Sequence, residues 1–514
     1  MMRAMDSTDI ILSSRAGMEL AQERTPGSPN RALAICMAAC TGLLCIGYES
    51  VLASHIASYD SFQSDFCPGD DCTDDSAPES WYGFTNWFSR MATVGYILGA
   101  LLAGLLGNLA GRKWTIMSGS LVFAFGTLWV TLSTGRDVMI AGRVFQGVGG
   151  GVYTFVLPIY CVEVAAKEVR GFLAGFAQLM LGIGYIAGHH VTSEYTDVTW
   201  KLVYFASMMP AIMLALGSFF LPESPRWIHL HKGKELAEIS LKRIRNTWLV
   251  EHELDAIASQ ASTFADMPGW KTLASASIVK RIVVVTALQL FQLLFMSTYS
   301  VSYSSLMHAK APEVFISSSL GNGKYFFFSI EAICAIPAMY LVDAAGRRKL
   351  LLIGTFGMVI GLITTSISIV SGCDAEIFGR ECTQGSGVGL FIGTVVLMMS
   401  NMVCWMPVVW LYPAEMFPTN VRAKATAITA MVSGASTFWV RELFPKFYEL
   451  MLLPVVVCLL ALALVFFLCL ETKGMVLEAT EELFKRGFHV KKPRDEMLSD
   501  VTDVAAGLGP VQAA

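Results

Sequence analysis

The sequence predicts an all-α membrane protein with twelve transmembrane helices in two six-helix bundles and both termini in the cytosol. Three observations predict it. Of 514 residues, 54% are hydrophobic and 15% charged, and the mean hydropathy is +0.55, whereas an average soluble domain is roughly 25% charged. Apolar runs of bilayer-crossing length, about 20 residues, recur along the chain. Three polar marks occur twice, after equivalent runs in each half. The net charge of −4 offers no basic face for nucleic acid. No nucleophile triad, phosphate loop or metal-ligand cluster is legible, so the reading is of no enzyme, cofactor or metal.

Residues 1–32 are polar, carry Arg3, Arg15, Arg24 and Arg31, and lack the apolar core and cleavage site of a signal peptide. They read as a cytosolic tail. Spans start near residues 33, 83, 113, 137, 171 and 200, giving an N-terminal bundle over 33–221. After a linker at 222–279, spans start near 280, 325, 349, 387, 423 and 447, giving a C-terminal bundle over 280–470 and a second cytosolic tail at 471–514. Lys and Arg favour cytosolic loops. Most of the 37 fall at Arg112-Lys113, Lys167 to Arg170, the linker, Arg347-Arg348-Lys349 and the tails, while the opposite loops carry Asp60, Asp65, Asp70, Asp71, Asp74, Asp75 and Glu79. Within the linker, Leu236, Ile239, Leu241 and Ile244 recur at helical spacing among alternating charges, predicting short cytosolic helices. Most of the twelve cysteines lie in spans; Cys67 with Cys72, and Cys373 with Cys382, lie in outside loops and are disulfide candidates.

The duplication rests on the repeated marks. Gly111-Arg112-Lys113 follows span 2 and Gly346-Arg347-Arg348 follows span 8. Glu163 and Arg170 follow span 4, and Glu415 and Arg422 follow span 10. Pro222-Glu223-Ser224-Pro225-Arg226 follows span 6, and Glu471-Thr472-Lys473-Gly474 follows span 12. Equivalent marks after equivalent spans indicate a six-helix unit repeated in parallel. Gly147, Gly149, Gly150 and Gly151 in span 4 suit close helix approach rather than phosphate binding.

Charge inside a span is expensive and usually functional. Glu49 lies in span 1, Arg143 in span 4 and Glu331 midway along span 8. A neighbouring guanidinium favours the ionised carboxylate and desolvation opposes it. A pair whose contact differs between two states can therefore load and release a proton; a permanent structural ion pair is the alternative. Glu331 can bind a substrate donor, move a proton or sit paired with a neighbour.

With Gly104 to Lys113, Arg143-Val-Phe-Gln-Gly147-Val-Gly149, Pro222-Glu-Ser-Pro-Arg226, Pro413-Ala-Glu-Met-Phe-Pro418 followed by Arg422, and Glu471-Thr-Lys-Gly474, the chain resembles the sugar porter family of the major facilitator superfamily over roughly residues 33–485. The resemblance implies alternating access, with two bundles rocking about a central site. It implies that Glu49 and Arg143 couple transport to a proton, with Glu49 where proton-coupled members carry an aspartate. It implies a cytosolic gate of Arg112, Glu163, Arg170, Glu223, Asp343, Arg347, Glu415 and Arg422, against which a static surface network is the bland reading. Gln178, Gln289, Gln292 and Trp410 match positions that contact sugar hydroxyls and the sugar ring. Leu293, Thr298, Glu331, Met402 and Thr437 depart from the family pattern, with Thr298 and Glu331 kept among the substrate-binding residues.

The expectation is a secondary-active, monomeric carrier of a small hydroxylated solute, a hexose or related sugar or polyol, moved with a proton across the plasma membrane. Its partners are that solute, the proton and the lipid bilayer. The alternatives are a facilitator without proton coupling and a non-transporting nutrient sensor of the same fold.

Overall fold

The computed structural model describes residues 27, 29–67, 72, 78–263, 272–308, 323–372, 383–447, 453–475 and 477, with side chains for all of these except 262–263, 297–308, 323–328, 384, 439–447 and 453. The described residues form helices and no strand. The first half contains α1 (Pro29–Cys40), α2 (Leu43–His55), α3 (Asp60–Phe66), α4 (Glu79–Leu109), α5 (Arg112–Leu132), α6 (Arg136–Val164), α7 (Arg170–Glu194), α8 (Trp200–Ala206) and α9 (Met208–Ser218). Three linker helices follow: α10 (Pro225–Lys232), α11 (Lys234–Arg245) and α12 (Glu251–Thr263). The second half contains α13 (Ala276–His308), α14 (Gly323–Ala345), α15 (Arg347–Gly372), α16 (Gln384–Ser400), α17 (Met406–Met416), α18 (Arg422–Phe447) and α19 (Leu453–Leu468).

Among the described residues, nine helical stretches are long and apolar enough to cross a bilayer: Pro29–Ser58, Glu79–Leu109, Arg112–Leu132, Arg136–Val164, Lys167–Glu194, Trp200–Ser218, Ala276–Met296, Arg347–Gly372 and Gly385–Met416. The other three predicted spans fall on α14, α18 and α19. The last of these is described over Leu453–Leu468, and residues 448–452 before it lie outside the described residues.

Small residues set the packing, as they must where lipid supplies no hydrophobic drive between helices. α6 is gripped by α4 and α5. A Cβ on Gly147 would strike the Ala92 backbone, one on Gly149 that of Phe123, and one on Gly151 that of Tyr96. The halves meet along two seams, α7 against α14 and α4 against α18. Gly175 packs on Met339, Gly182 on Ala332, and Gly104 on Ala427. Each half has its own apolar core, and Trp410 packs against both.

In the linker, the Ser224 hydroxyl accepts from the Trp227 N–H at 3.4 Å, and Pro225 opens α10. On α11 the buried face is Ala237, Leu241 and Ile244, whereas Leu236 and Ile239 are exposed. The sequence spacing had grouped Leu236 and Ile239 with that face. Packing against α10 and α12 covers a narrower stripe.

Candidate functional site

Three polar assemblies stand out against the apolar interior. The first lies inside the N-terminal half. Arg143 of α6 and Glu49 of α2 form a buried salt bridge. The Arg143 guanidinium also donates to Gln146 Oε1 at 2.7 Å, to the Tyr204 hydroxyl at 2.9 Å and to the Phe88 carbonyl at 3.0 Å. Its Cζ sits 4.7 Å from the centroid of the Phe88 ring. Tyr204 donates in turn to Gln146 Oε1 at 2.6 Å, and Gln146 Nε2 donates to Thr127 Oγ1 at 2.9 Å. Four helices thus converge on one guanidinium, which keeps several partners if Glu49 is neutralised. Gln146 was legible as the residue one turn from Arg143. Tyr204, on α8, carries no such signal, because only the fold brings α8 beside α6.

The second assembly lies between the halves. Gln178 of α7 donates its Nε2 to the Met402 carbonyl at 2.9 Å. That carbonyl is available for a local reason. Residues Asn401–Trp405 form a π-helical turn, with the Met406 N–H bonded back to Asn401. Pro407 has no N–H to close the next bond of that type onto Met402. Gln292 of α13 points its Nε2 at the Met406 sulfur at 3.5 Å, and Asn401 its Nδ2 at the Met296 sulfur at 3.4 Å. Glu331 of α14 is buried, with Ile330 and Cys334 beside it packed into one cluster with Met402, Met296 and Met406. Among the described residues, the buried atoms Gln178 Oε1, Gln289 Oε1, Gln292 Oε1, Asn401 Oδ1 and Glu331 Oε1 have no hydrogen-bond partner. Sequence reasoning passed over Asn401, although a lone amide inside the apolar run 397–405 was the available signal. The side chain of Thr298 lies outside the described residues.

The third assembly lies where the repeated marks meet. Glu163 is paired with Arg112 at 2.8 Å inside its own half and with Arg422 of the other half at 2.9 Å. Arg347 pairs with Glu415 at 2.9 Å and Asp343 at 3.0 Å. Asp343 crosses to accept the Gly171 and Phe172 N–H groups at 3.0 and 2.9 Å. Arg170 donates to the Met475 carbonyl at 3.0 Å, also across the halves. Glu223 works within one half, accepting the Arg112 N–H at 2.9 Å and the Ser224 N–H at 2.8 Å. Glu471 repeats this in the other half, accepting the Arg347 N–H at 2.8 Å and the Arg348 N–H at 3.1 Å. Each carboxylate caps a helix N-terminus that follows a glycine of positive φ, +91° at Gly111 and +94° at Gly346. A Cβ at either glycine would collide with the capping carboxylate. The duplicated motif is therefore a duplicated shape.

Cys67 and Cys72 form a disulfide. Cys373 and Cys382 lie outside the described residues. His189 is buried and faces His55, with ring centroids 6.0 Å apart, while His190 packs on Tyr195.

Residues 34–484 match the family model described as Sugar (and other) transporter. Sugar transport protein 11 of Arabidopsis thaliana is 27% identical over 474 residues, 88% of this chain and 90% of its own. Glucose transporter GlcP of Staphylococcus epidermidis is 28% identical over 401 residues, 76% of this chain and 86% of its own. The major facilitator proton:xylose symporter XylE, bound to 6-bromo-6-deoxy-D-glucose, shares the fold with a TM-score of 0.74 at 21% identity, over 88% of this chain and 99% of that one. With three polar marks repeated in each half, several bilayer-length helices and a family match over most of its length, the chain belongs to the family described as Sugar (and other) transporter, an integral multi-pass membrane protein of a transporter family rather than an enzyme family.

Proposed function

We propose that the protein is a twelve-span, monomeric carrier with cytosolic termini that moves a small hydroxylated solute, a sugar or polyol, across the plasma membrane together with a proton. The observation that carries the reading is the Glu49–Arg143 pair. A carboxylate that loses its guanidinium partner while staying in a low-dielectric site binds a proton, and one that regains the partner releases it. Moving one charge through 100 mV supplies about 2.3 kcal/mol, close to a fifty-fold solute gradient. Arg143 keeps Gln146, Tyr204 and the Phe88 carbonyl throughout, so the pair can open without stranding the arginine.

The amides between the halves supply the solute side. Carboxamides present both donors and acceptors to hydroxyls, and the Trp410 indole offers an apolar face to a ring. The contacts joining Glu163 to Arg422, Asp343 to the α7 N-terminus and Arg170 to Met475 hold the cytosolic face shut. Their rupture opens the site inward, as a two-state interface does.

The test is uptake of labelled glucose, fructose, galactose, xylose and myo-inositol in a yeast strain lacking its own hexose carriers, with and without a protonophore, for wild type and Glu49→Gln. Symport requires accumulation that collapses with protonophore in wild type, and a variant that exchanges solute but no longer concentrates it. Uptake indifferent to the protonophore would make Glu49 a structural partner and the protein a facilitator. No uptake from correctly inserted protein would favour the sensor.

A further inference from the structure

Resting on the transport reading, we infer that the solute carries a protonated amine beside its hydroxyl groups, and that Glu331 is the residue that selects it. Glu331 lies midway along α14, 6% exposed, with Oε1 buried and without a hydrogen-bond partner among the described residues. Among the described residues no salt bridge reaches it. A carboxyl at that depth either takes up a proton or stays ionised beside a positive charge, and a cationic solute supplies that charge.

Its position points into the central assembly. On α14, Ile330 and Cys334 face the cluster containing Met402, Met296 and Met406. Ala332 and Met339 face Gly182 and Gly175 of α7. Residue 331 projects between these two faces at 100° per residue, toward the wedge that α7 forms with α13 and α17. Gln178, Gln292 and Asn401 bond into that wedge through the Met402 carbonyl and the Met406 and Met296 sulfurs.

The chemistry of the wedge is one-sided. The amide nitrogens of Gln178, Gln292 and Asn401 each already face one protein acceptor, while their oxygens, with Gln289 Oε1 and Glu331 Oε1, have no partner among the described residues. A hydroxyl brings one donor and an oxygen that itself seeks donors. An alkylammonium brings three donors, no acceptor and a positive charge. Three donors and a charge suit a set of unpartnered amide and carboxylate oxygens, so an amino sugar or amino-polyol complements these acceptors better than its neutral counterpart.

The experiment uses the same yeast strain and three labelled solutes: a neutral hexose, the corresponding amino-hexose and its N-acetyl derivative, which keeps the nitrogen but not the charge. Wild type is expected to take up the amino-hexose about tenfold faster than either neutral solute at equal, limiting concentration. Glu331→Gln, verified at the surface, is expected to erase that preference. Wild-type uptake of the neutral hexose with no preference for the amine would overturn the inference and leave the transport reading standing, as would an unchanged preference in the variant. If the variant transports nothing, competition decides: in wild type the amino-hexose must block uptake at about tenfold lower concentration than its N-acetyl derivative, and equal potency overturns the inference. A wild-type protein that moves none of the three, nor any solute of the wider panel, refutes transport itself.

Discussion

Replacing Glu163 with Gln tests whether the assembly that joins the halves, proposed above as the cytosolic gate, is a gate or a static brace. Glu163 is fully buried and holds two guanidiniums, Arg112 from its own half and Arg422 from the other. Losing a buried carboxylate and leaving its partners charged costs about 3–5 kcal/mol. Most of that loss is common to every conformation, because Arg112 and Glu163 travel together. Only the Arg422 contact, 2.9 Å across the seam, distinguishes the closed from the open cytosolic face. A hydrogen bond between charged groups contributes about 1.5–3 kcal/mol. The substitution should therefore move the closed-to-open ratio by about 10- to 150-fold toward open, with the lower end expected because Gln keeps an acceptor oxygen. The assay is the distance distribution between spin labels at Leu109→Cys and Lys349→Cys, exposed positions at the ends of α4 and α15 nearest the assembly. Glu163→Gln should populate a longer distance, and a cycle with Arg422→Gln should show a coupling of similar size in that equilibrium. An unchanged distribution with zero coupling would refute the gate and leave the network as a brace.

Other perturbations probe separate links of the argument. Gly147→Ala pushes a methyl into the Ala92 backbone and should lower thermal stability in detergent by about 1–3 kcal/mol; an unchanged melting temperature would mean that α4 and α6 can separate freely. Gln178→Leu strips the Met402 carbonyl of its donor and removes one acceptor, so the KM for the transported solute should rise about tenfold with surface expression retained. In the linker, burial works to raise the Glu253 carboxyl while the Arg245 guanidinium, 2.7 Å away, outweighs it, and the net direction is downward. A carboxyl lowered by folding contributes stability above its unfolded value, about 4.3, and loses it as pH falls through the folded value. Limited proteolysis of the linker should accelerate below about pH 4 in wild type, whereas Glu253→Gln should be cleaved readily at neutral pH and show little further acid response.

Much of this architecture is written in short-range patterns. Apolar run length places the helices because the bilayer imposes it. The doubled Gly-Arg motif was legible as a repeat, yet its shape needed the fold: positive φ at Gly111 and Gly346, and carboxylates from Glu223 and Glu471 arriving from more than a hundred residues away to cap the helices. Sequence could nominate Glu49 and Arg143, since charge within an apolar run is conspicuous.

The sequence by itself determined the all-helical membrane class, the repeated halves and the roll of buried charges, because each depends on the composition of a contiguous stretch. Only the tertiary structure decided which of those charges meet. It joined Glu163 to Arg422 across the seam but kept Glu223 within one half. It surrounded Arg143 with Gln146, Tyr204 and Phe88, and left Glu331 Oε1 without a hydrogen-bond partner among the described residues. Partner choice for a buried polar atom is set by which helix faces approach within about 3 Å. Those approaches follow from small-residue contacts such as Gly182 on Ala332 and Gly175 on Met339, between residues that no local pattern connects.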